Sequence, residues 1–257
     1  MVKAPSQRFK FTMFSLSDFT DLRLVNQVLD AFDSLPDSLG PRKYGPYEPV
    51  KHLYNPTRRS EIVSIWLNEE CAQDHHRPQS GALCLESDSS AKAGYLVSWG
   101  RSEVPRFNSV GGSATLYGDA TSGTLRDFID LATAVAQATD AVFGLIDREF
   151  PQTNNLLTLI DLKVRLPEPC WMMFFGAPYV ELFGKDRLRN APCHEAVELP
   201  SGHFRLMITS SPHEPVAEEA RTRIREHFGR MAFTEPGRAI RVQKPGLVPS
   251  FDFRNVL

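Results

Sequence analysis

The chain has 257 residues, of which 42% are hydrophobic and 23% are charged, and its formal net charge is −2. This length fits one large domain or two modest ones, and the composition is that of a globular protein rather than a disordered one. Nucleic-acid-binding proteins usually carry a clear basic excess or a concentrated basic face. The near balance of 29 basic and 31 acidic residues therefore disfavours direct binding to nucleic acid.

The lack of a targeting signal and the spacing of the cysteines favour a cytoplasmic protein. The N-terminal sequence MVKAPSQRFKF lacks the apolar core of a signal peptide. No apolar run approaches the ~20 residues that cross a bilayer, so we expect no membrane association. Cys71, Cys84, Cys170 and Cys193 form no CxxC pair, and dispersed free cysteines are typical of a reducing compartment.

The first half of the chain shows strand and helix patterns in turn. Apolar residues alternate over 9–16, which predicts a strand, and recur at helical spacing over 22–32, which predicts a helix capped by Asp18 or Thr20. Residues 36–59 are rich in proline, tyrosine and basic residues, which predicts an irregular surface connection. Further strands are predicted at 61–67, 81–86, 94–100 and 109–117, with a polar loop over 68–80.

The second half begins with a helix predicted from about 124 to 139, capped by Ser122 or Thr124, and a strand over 141–146. The segment 170–208 then carries a run of large apolar residues, a break at Gly176 and Pro178, a short helical stretch and two strands that form a hairpin. The last predicted helix covers about 216–228 and ends at Gly229.

These elements do not alternate regularly as strand, helix and strand. We therefore predict an α+β fold, in which antiparallel strand-rich sheets pack with about three main helices. We expect a single domain over 1–257, with a division into two lobes near 148–156 as the alternative. Trp171 lies in the apolar run, and its replacement by alanine is expected to cost roughly 3–5 kcal/mol of stability.

Three short motifs suggest chemistry, and each has a simpler interpretation. Adjacent His75 and His76 near Cys71 seldom converge on one metal ion without further ligands. Cys193 and His194 are neighbours in the chain, and neighbouring side chains generally point apart rather than form a thiolate–imidazole pair. The sequence SVGGS at 109–113 lacks the spacing of a phosphate loop, so a turn or bulge between strands explains its glycines. We therefore predict no catalytic, cofactor-binding or metal-binding residue and no cofactor.

Five residues are candidates for contact with a protein partner. Tyr44 and Tyr47 lie in the proline- and tyrosine-rich connection, and tyrosine combines a large contact area with a polar tip. Glu69, Glu70 and Asp74 lie in the polar loop that follows, where they would matter if the partner is basic. The alternative for the tyrosines is that their rings pack this connection onto the body of the protein.

Several stretches carry a resemblance to a known family. They are YGPYEPV at 44–50, VPRFNSVGGSATLYG at 104–118, GAPYVELFGKDRL at 176–188 followed by NAP, and ITSSPHEPVAEEARTRIREHFG at 208–229. With these motifs the chain resembles, over about 44–233, the bacterial immunity proteins that are paired with restriction-endonuclease-fold toxins of type VI secretion systems. No binding motif of that family maps onto particular residues here.

The resemblance implies a cytoplasmic protein, not an enzyme, that binds a cognate nuclease toxin and blocks or distorts its active site. Two other functions stay open. One is a small-molecule enzyme with a dispersed site, in which His194, Glu195 and the aromatic run at 171–175 take part. The other is a structural or adaptor component of a secretion assembly.

Overall fold

The computed structural model describes residues 7–69, 79–116, 123–149, 160–235, 240 and 243–256. The chain forms two compact units, one of Met1–Ala141 with Asp252–Leu257 and the other of Val142–Phe251. Each unit combines antiparallel strands with helices. The prediction of an α+β fold is therefore confirmed.

The described part of the first unit combines antiparallel strands with three α-helices. Its strands are β1 (Gln7–Ser15), β2 (Lys43–Gly45), β3 (His52–Leu53), β4 (Ser80–Glu86), β5 (Gly94–Gly100) and β6 (Asn108–Leu116), and its helices are α1 (Leu22–Asp33), α2 (Arg59–Leu67) and α3 (Gly123–Ala138). Within this unit the strands lie in the order β3-β2-β4-β5-β6-β1. The predicted strands over 9–16, 81–86, 94–100 and 109–117 all match observed ones.

Side chains on one face of this sheet are buried, and we call it the covered face. One row across it joins Tyr44, Leu85, Tyr95, Gly112 and Phe11, which are cross-strand partners. The four large side chains of this row are at most 4% exposed. The helices pack here, because Phe128 of α3 lies 5.3 Å from Phe11 and Phe32 of α1 lies 5.0 Å from Tyr95 between ring centroids.

The two central glycines of SVGGS lie inside the regular strand β6, not in a turn or bulge between strands as predicted. Packing explains Gly112, because a Cβ atom there would lie 2.5 Å from the rings of both Phe11 and Tyr95. The glycine therefore makes room for two aromatic side chains in the core. The sequence of β6 alone does not predict this need for glycine, since the two rings belong to neighbouring strands.

The helix predicted over 22–32 is present as α1, but its cap differs from the prediction. The Asp21 carboxylate accepts a hydrogen bond of 2.8 Å from the backbone N–H of Arg23, which satisfies a free donor of the first turn. Asp18 instead accepts a bond of 2.9 Å from the backbone N–H of Thr20, in a turn that precedes the helix. The prediction of Asp18 or Thr20 as the cap is therefore wrong.

The strand predicted over 61–67 is wrong, because these residues form helix α2. Ile62 and Trp66 are its buried residues, and a spacing of four places them on one face of a helix. The Trp66 indole donates to the backbone oxygen of Phe19 at 2.8 Å, and the Trp99 indole donates to the backbone oxygen of Trp66 at 2.8 Å. These tertiary bonds outweigh the strand preference of the β-branched residues in EIVSIWL.

The second unit also has an antiparallel sheet. Its strands are β7 (Phe143–Arg148), β8 (Met172–Phe175), β9 (Glu195–Glu198) and β10 (Phe204–Met207), and its helices are α4 (Ala177–Phe183), α5 (Lys185–Arg189) and α6 (Glu218–Phe228). The strands lie in the order β7-β8-β10-β9. The buried strand, short helix and hairpin predicted for 170–208 are confirmed, and α5 is an addition to them.

An aromatic cluster fills the core of the second unit around Tyr179. Its ring lies 5.9 Å from Phe143, 6.0 Å from Phe175 and 6.0 Å from Phe251. Trp171 is 1% exposed, and its indole donates to the backbone oxygen of Thr209 at 3.0 Å. The prediction that this segment forms a packing centre is confirmed.

Candidate protein-binding surface

The two tyrosines proposed for partner contact lie in very different surroundings. Tyr44 is only 2% exposed and belongs to the covered face of the sheet, so the expectation that it lies on the surface is wrong. Tyr47 is 67% exposed and follows β2 in the loop that leads to β3. Of the two rings, only that of Tyr47 is available to a partner.

Buried Tyr44 and half-buried Tyr54 anchor the hairpin formed by β2 and β3. The Tyr44 ring lies 5.2 Å from the His52 ring and 6.1 Å from that of Tyr54. The Tyr54 hydroxyl donates to Asp33 at 2.7 Å, and Arg59 forms ion pairs with both Asp33 and Asp30. Burial and then Asp33 raise the pKa of Tyr54, so its hydroxyl stays protonated as a donor. These contacts fix the hairpin before any partner binds.

Leu53 at the edge of the sheet is a surface residue that the sequence analysis missed. It is 75% exposed, although it is a large apolar residue, and β3 is the outermost strand of its unit. Leucine in a tyrosine-rich connection looks like a residue that packs inward. The pairing of Leu53 with Lys43 across β2 and β3 would have revealed its exposed position, and only the structure gives that register.

Of the three acidic candidates, only Glu69 belongs to the described residues. Glu69 is exposed, as predicted, and lies two residues beyond the end of α2. Glu70 and Asp74 lie outside the described residues, and their contact with a partner stays a prediction. The same holds for the solvated loop predicted around Cys71, His75 and His76.

The remaining chemical candidates concern metal binding and a reactive thiol. No group of three or more metal-ligating side chains is found there. The Cys193 thiol donates to the backbone oxygen of Glu195 at 3.2 Å, and burial raises its pKa. Because a thiolate is the reactive form, this cysteine is poorly suited to nucleophilic catalysis.

A titratable group with an unusual pKa lies at the end of β7. Burial raises the pKa of Asp147 to about 6, although the backbone N–H groups of Arg148 and Trp171 and the charge of Arg221 act in the opposite direction. Burial also raises the pKa of the nearby Cys170 thiol well above its ordinary value, and Asp147 adds to that shift. Cys170 is therefore protonated at neutral pH, so these two residues do not provide an activated nucleophile.

The charged side chains next to this carboxyl form ion pairs with one another. Arg221 donates to Glu168 at 3.0 Å, and a guanidinium nitrogen of Arg225 lies 4.0 Å from the same carboxylate oxygen. Arg225 also forms an ion pair with Glu218. These charges largely compensate one another, as expected of a network that stabilises the unit.

None of the helices in the described part of the chain has the length and apolar character to cross a membrane. No protein-family model matches the sequence, and no curated protein matches it either. Among solved structures, the fold is similar to that of the Pseudomonas aeruginosa T6SS protein PA0821, with a TM-score of 0.53 and 11% identity over 88% of this chain and 79% of that chain. At this identity the similarity concerns the fold.

Proposed function

We propose that this protein is an immunity protein that binds and neutralises a cognate nuclease toxin of a type VI secretion system, and that it acts without catalysis. The observation that carries the proposal is the fold similarity to a T6SS protein over 88% of the chain. The motifs that resemble the immunity family add independent support. The protein would act in the cytoplasm, where a toxin from a sibling cell meets its target.

The hairpin of the first unit supports a role in binding. An exposed tyrosine on a rigid hairpin offers a large contact area and loses little conformational entropy when a partner binds. Nuclease–immunity complexes are among the tightest known, with Kd values down to about 10⁻¹³–10⁻¹⁶ M. A fixed surface with a few strong contacts is compatible with such affinities, because binding energy is concentrated in a few residues.

The decisive experiment is co-expression with the product of the neighbouring gene. We expect that product to contain a nuclease domain, to kill cells when expressed alone, and to lose this toxicity when the present protein is co-expressed. A neighbouring product that is not toxic, or that kills cells in spite of co-expression and shows no binding at micromolar concentration, would contradict the proposal.

A double substitution tests the predicted contact residues. We expect Tyr47→Ala with Glu70→Gln to weaken binding to the neighbouring toxin and to leave the melting temperature nearly unchanged, since Tyr47 is 67% exposed. Tyr44→Ala is the matched comparison, because Tyr44 is 2% exposed and its loss should lower the melting temperature first. Unchanged affinity in the double variant would place the interface elsewhere.

A further inference from the structure

We propose that the toxin docks on the face of the first unit's sheet that lies opposite its helices, through an uncharged apolar patch centred on Leu96 and bordered by Leu53 and Tyr47. We call the face of the sheet opposite the helices the open face. The inference rests on the proposed function, since it takes the cognate toxin as the occupant, and it adds the surface and the chemistry of contact.

The strand register defines the open face. Its central row joins Gly45, Cys84, Leu96, Gly111 and Thr12, which are cross-strand partners in β2, β4, β5, β6 and β1. Each of these residues alternates with residues of the covered face. Leu96 is 48% exposed, whereas its neighbours in β5, Tyr95 and Val97, are at most 4% exposed.

The hairpin borders this face on the same side of the sheet. A Cβ atom on Gly45 would lie 3.5 Å from the Cα atom of Val50 and 3.6 Å from the backbone oxygen of Tyr47, so the loop turns back over an open-face position. Leu53 pairs with Lys43, and Lys43 pairs with Glu86, which places Leu53 on the open face as well. Leu53 and Leu96 therefore share this face, and the loop that carries exposed Tyr47 lies at its border.

Strands β5 and β6 keep the open face flat. Except for Leu96, their residues on this face are small; they are Gly94, Ser98, Gly100, Ser109, Gly111, Ser113 and Thr115. A glycine inside a strand often marks a place where another chain comes close. Among the described residues, Gly94 has no neighbour closer than 3.9 Å to an added Cβ atom, unlike Gly112 on the covered face with its contacts at 2.5 Å, so packing within this part of the chain does not require it.

The charges indicate which kind of partner surface fits. The side chains of β5 and β6 on the open face carry no charge, whereas Glu86 of β4, Lys10 of β1 and Lys43 of β2 lie on the same face in the row beside that of Leu96. Glu48 and Glu86 lie near Cys84, whose thiol pKa is raised by burial and then by these carboxylates, and Arg8 on β1 donates to Ser113 at 2.8 Å. An apolar centre with a polar rim is the usual anatomy of a protein interface.

Such a patch fits an apolar, uncharged surface of the toxin better than a basic substrate groove. Association through it should depend little on ionic strength, because salt screens charged contacts and not apolar ones. This differs from inhibition by an acidic surface that imitates nucleic acid.

The size of the open face agrees with a contact that includes the hairpin. Five strands at about 4.8 Å spacing and about seven residues of 3.4 Å each give a flat area of roughly 450 Å². A standard interface buries about 800 Å² on each partner. The hairpin around Tyr47 and Leu53 has to supply much of the remainder, which joins it to the open face in one surface.

The test measures binding to the neighbouring toxin with its nuclease centre inactivated, by titration calorimetry. We expect Leu96→Ser to raise Kd about tenfold and Leu53→Ser with Leu96→Ser to raise it about a hundredfold, as for central interface residues. Leu22→Ser is the matched control, because Leu22 is a leucine of similar exposure, 54%, on α1. We expect it to leave Kd within about twofold of the wild type.

A second pair of variants adds bulk without removing an apolar contact. Ser98→Arg places a long side chain on the open face, and Ser60→Arg places one on α2; both serines are exposed. We expect Ser98→Arg to abolish binding and Ser60→Arg to have little effect, with both melting temperatures close to that of the wild type. Wild-type Kd should change less than about threefold between 50 and 300 mM NaCl.

The outcomes separate this inference from the proposed function. A wild-type protein that neither binds nor protects contradicts the proposed function itself. A wild-type protein that binds, while the Leu96→Ser and Ser98→Arg variants bind equally well, overturns the open face and leaves the proposed function standing. Steep salt dependence, or a wild-type dimer in sedimentation that Ser98→Arg dissociates without affecting toxin binding, would also overturn it.

Discussion

Strand β5 of the first unit and strand β8 of the second bury their side chains in different ways. In β5 the buried residues Tyr95, Val97 and Trp99 alternate with exposed Leu96 and Ser98. In β8 all four residues of Met172–Phe175 are buried. An alternating strand has one open face, whereas a continuous apolar strand is covered on both, and the two types should respond differently to substitution.

The largest expected difference concerns neighbouring residues within each strand. We expect Phe174→Ala and Phe175→Ala each to cost about 3–5 kcal/mol of unfolding free energy, because both side chains are buried although they point to opposite faces of β8. In β5 we expect Leu96→Ala to cost no more than about 0.5 kcal/mol. Urea denaturation measures all three. A Phe174→Ala variant that loses little unfolding free energy would contradict the burial of both faces of β8.

A second prediction concerns Asp147, at the end of the buried strand β7. Its pKa rises from 3.8 to about 6 in the folded state, mainly through burial, so the folded protein keeps a proton that the unfolded chain has lost. Stability should therefore fall as pH rises from about 4 to about 6, by up to about 3 kcal/mol.

The substitution Asp147→Asn removes this titration. We expect it to raise the unfolding free energy at pH 7.5 and to have little effect at pH 3.5, where the carboxyl is protonated in both states. Asp37→Asn is the control, since the Asp37 side chain is 94% exposed and pairs only with Arg42 among the ion pairs described. Denaturation at a series of pH values measures both. A steeper fall between pH 4 and 6 in the Asp147→Asn variant would contradict the role of this carboxyl.

A third prediction compares two glycines on opposite faces of the first unit's sheet. We expect Gly112→Ala to destabilise by about 1–3 kcal/mol, because the added methyl group would overlap the rings of Phe11 and Tyr95. We expect Gly94→Ala to be neutral or to stabilise by up to about 1 kcal/mol, since space is free there and the unfolded chain loses entropy. Thermal denaturation compares the two variants. Equal losses of stability would show that the surroundings of Gly94 are more crowded than the distances from an added Cβ atom indicate.

The smallest expected effect concerns the hydroxyl of Tyr179. This oxygen is buried and has no hydrogen-bond partner within the described residues. We expect Tyr179→Phe to leave stability unchanged or to raise it by up to about 1 kcal/mol, because the phenylalanine keeps the ring contacts and removes an unsatisfied polar group. A loss above about 1 kcal/mol in thermal denaturation would indicate that the hydroxyl has a partner.

Much of the fold could be predicted where the local pattern agreed with the tertiary environment. The alternation in β1, β4 and β5 follows from one covered face, and the stripe from Leu125 to Ala136 follows from one buried side of α3. Helix α2 could not be predicted, because its β-branched residues favour a strand. Bonds from Trp66 and Trp99 to residues distant in the chain decide its conformation.

The candidate surface could be predicted only in part. The composition around Tyr44 and Tyr47 indicates a surface connection, and Tyr47 does lie on the surface. The burial of Tyr44 could not be predicted from the local sequence, since it depends on the cross-strand partner Leu85 in a strand far along the chain. Leu53 and Leu96 lie on one face only through the register of the four strands β3, β2, β4 and β5.

The sequence by itself determined the α+β class, most of the strands and the packing role of the segment around Trp171, because hydrophobic periodicity reflects which side of each element is buried. Tertiary structure decided which apolar residues remain exposed and share a face. That choice depends on strand register and on contacts between residues far apart in the chain, and a one-residue shift in register would exchange the two faces of a strand.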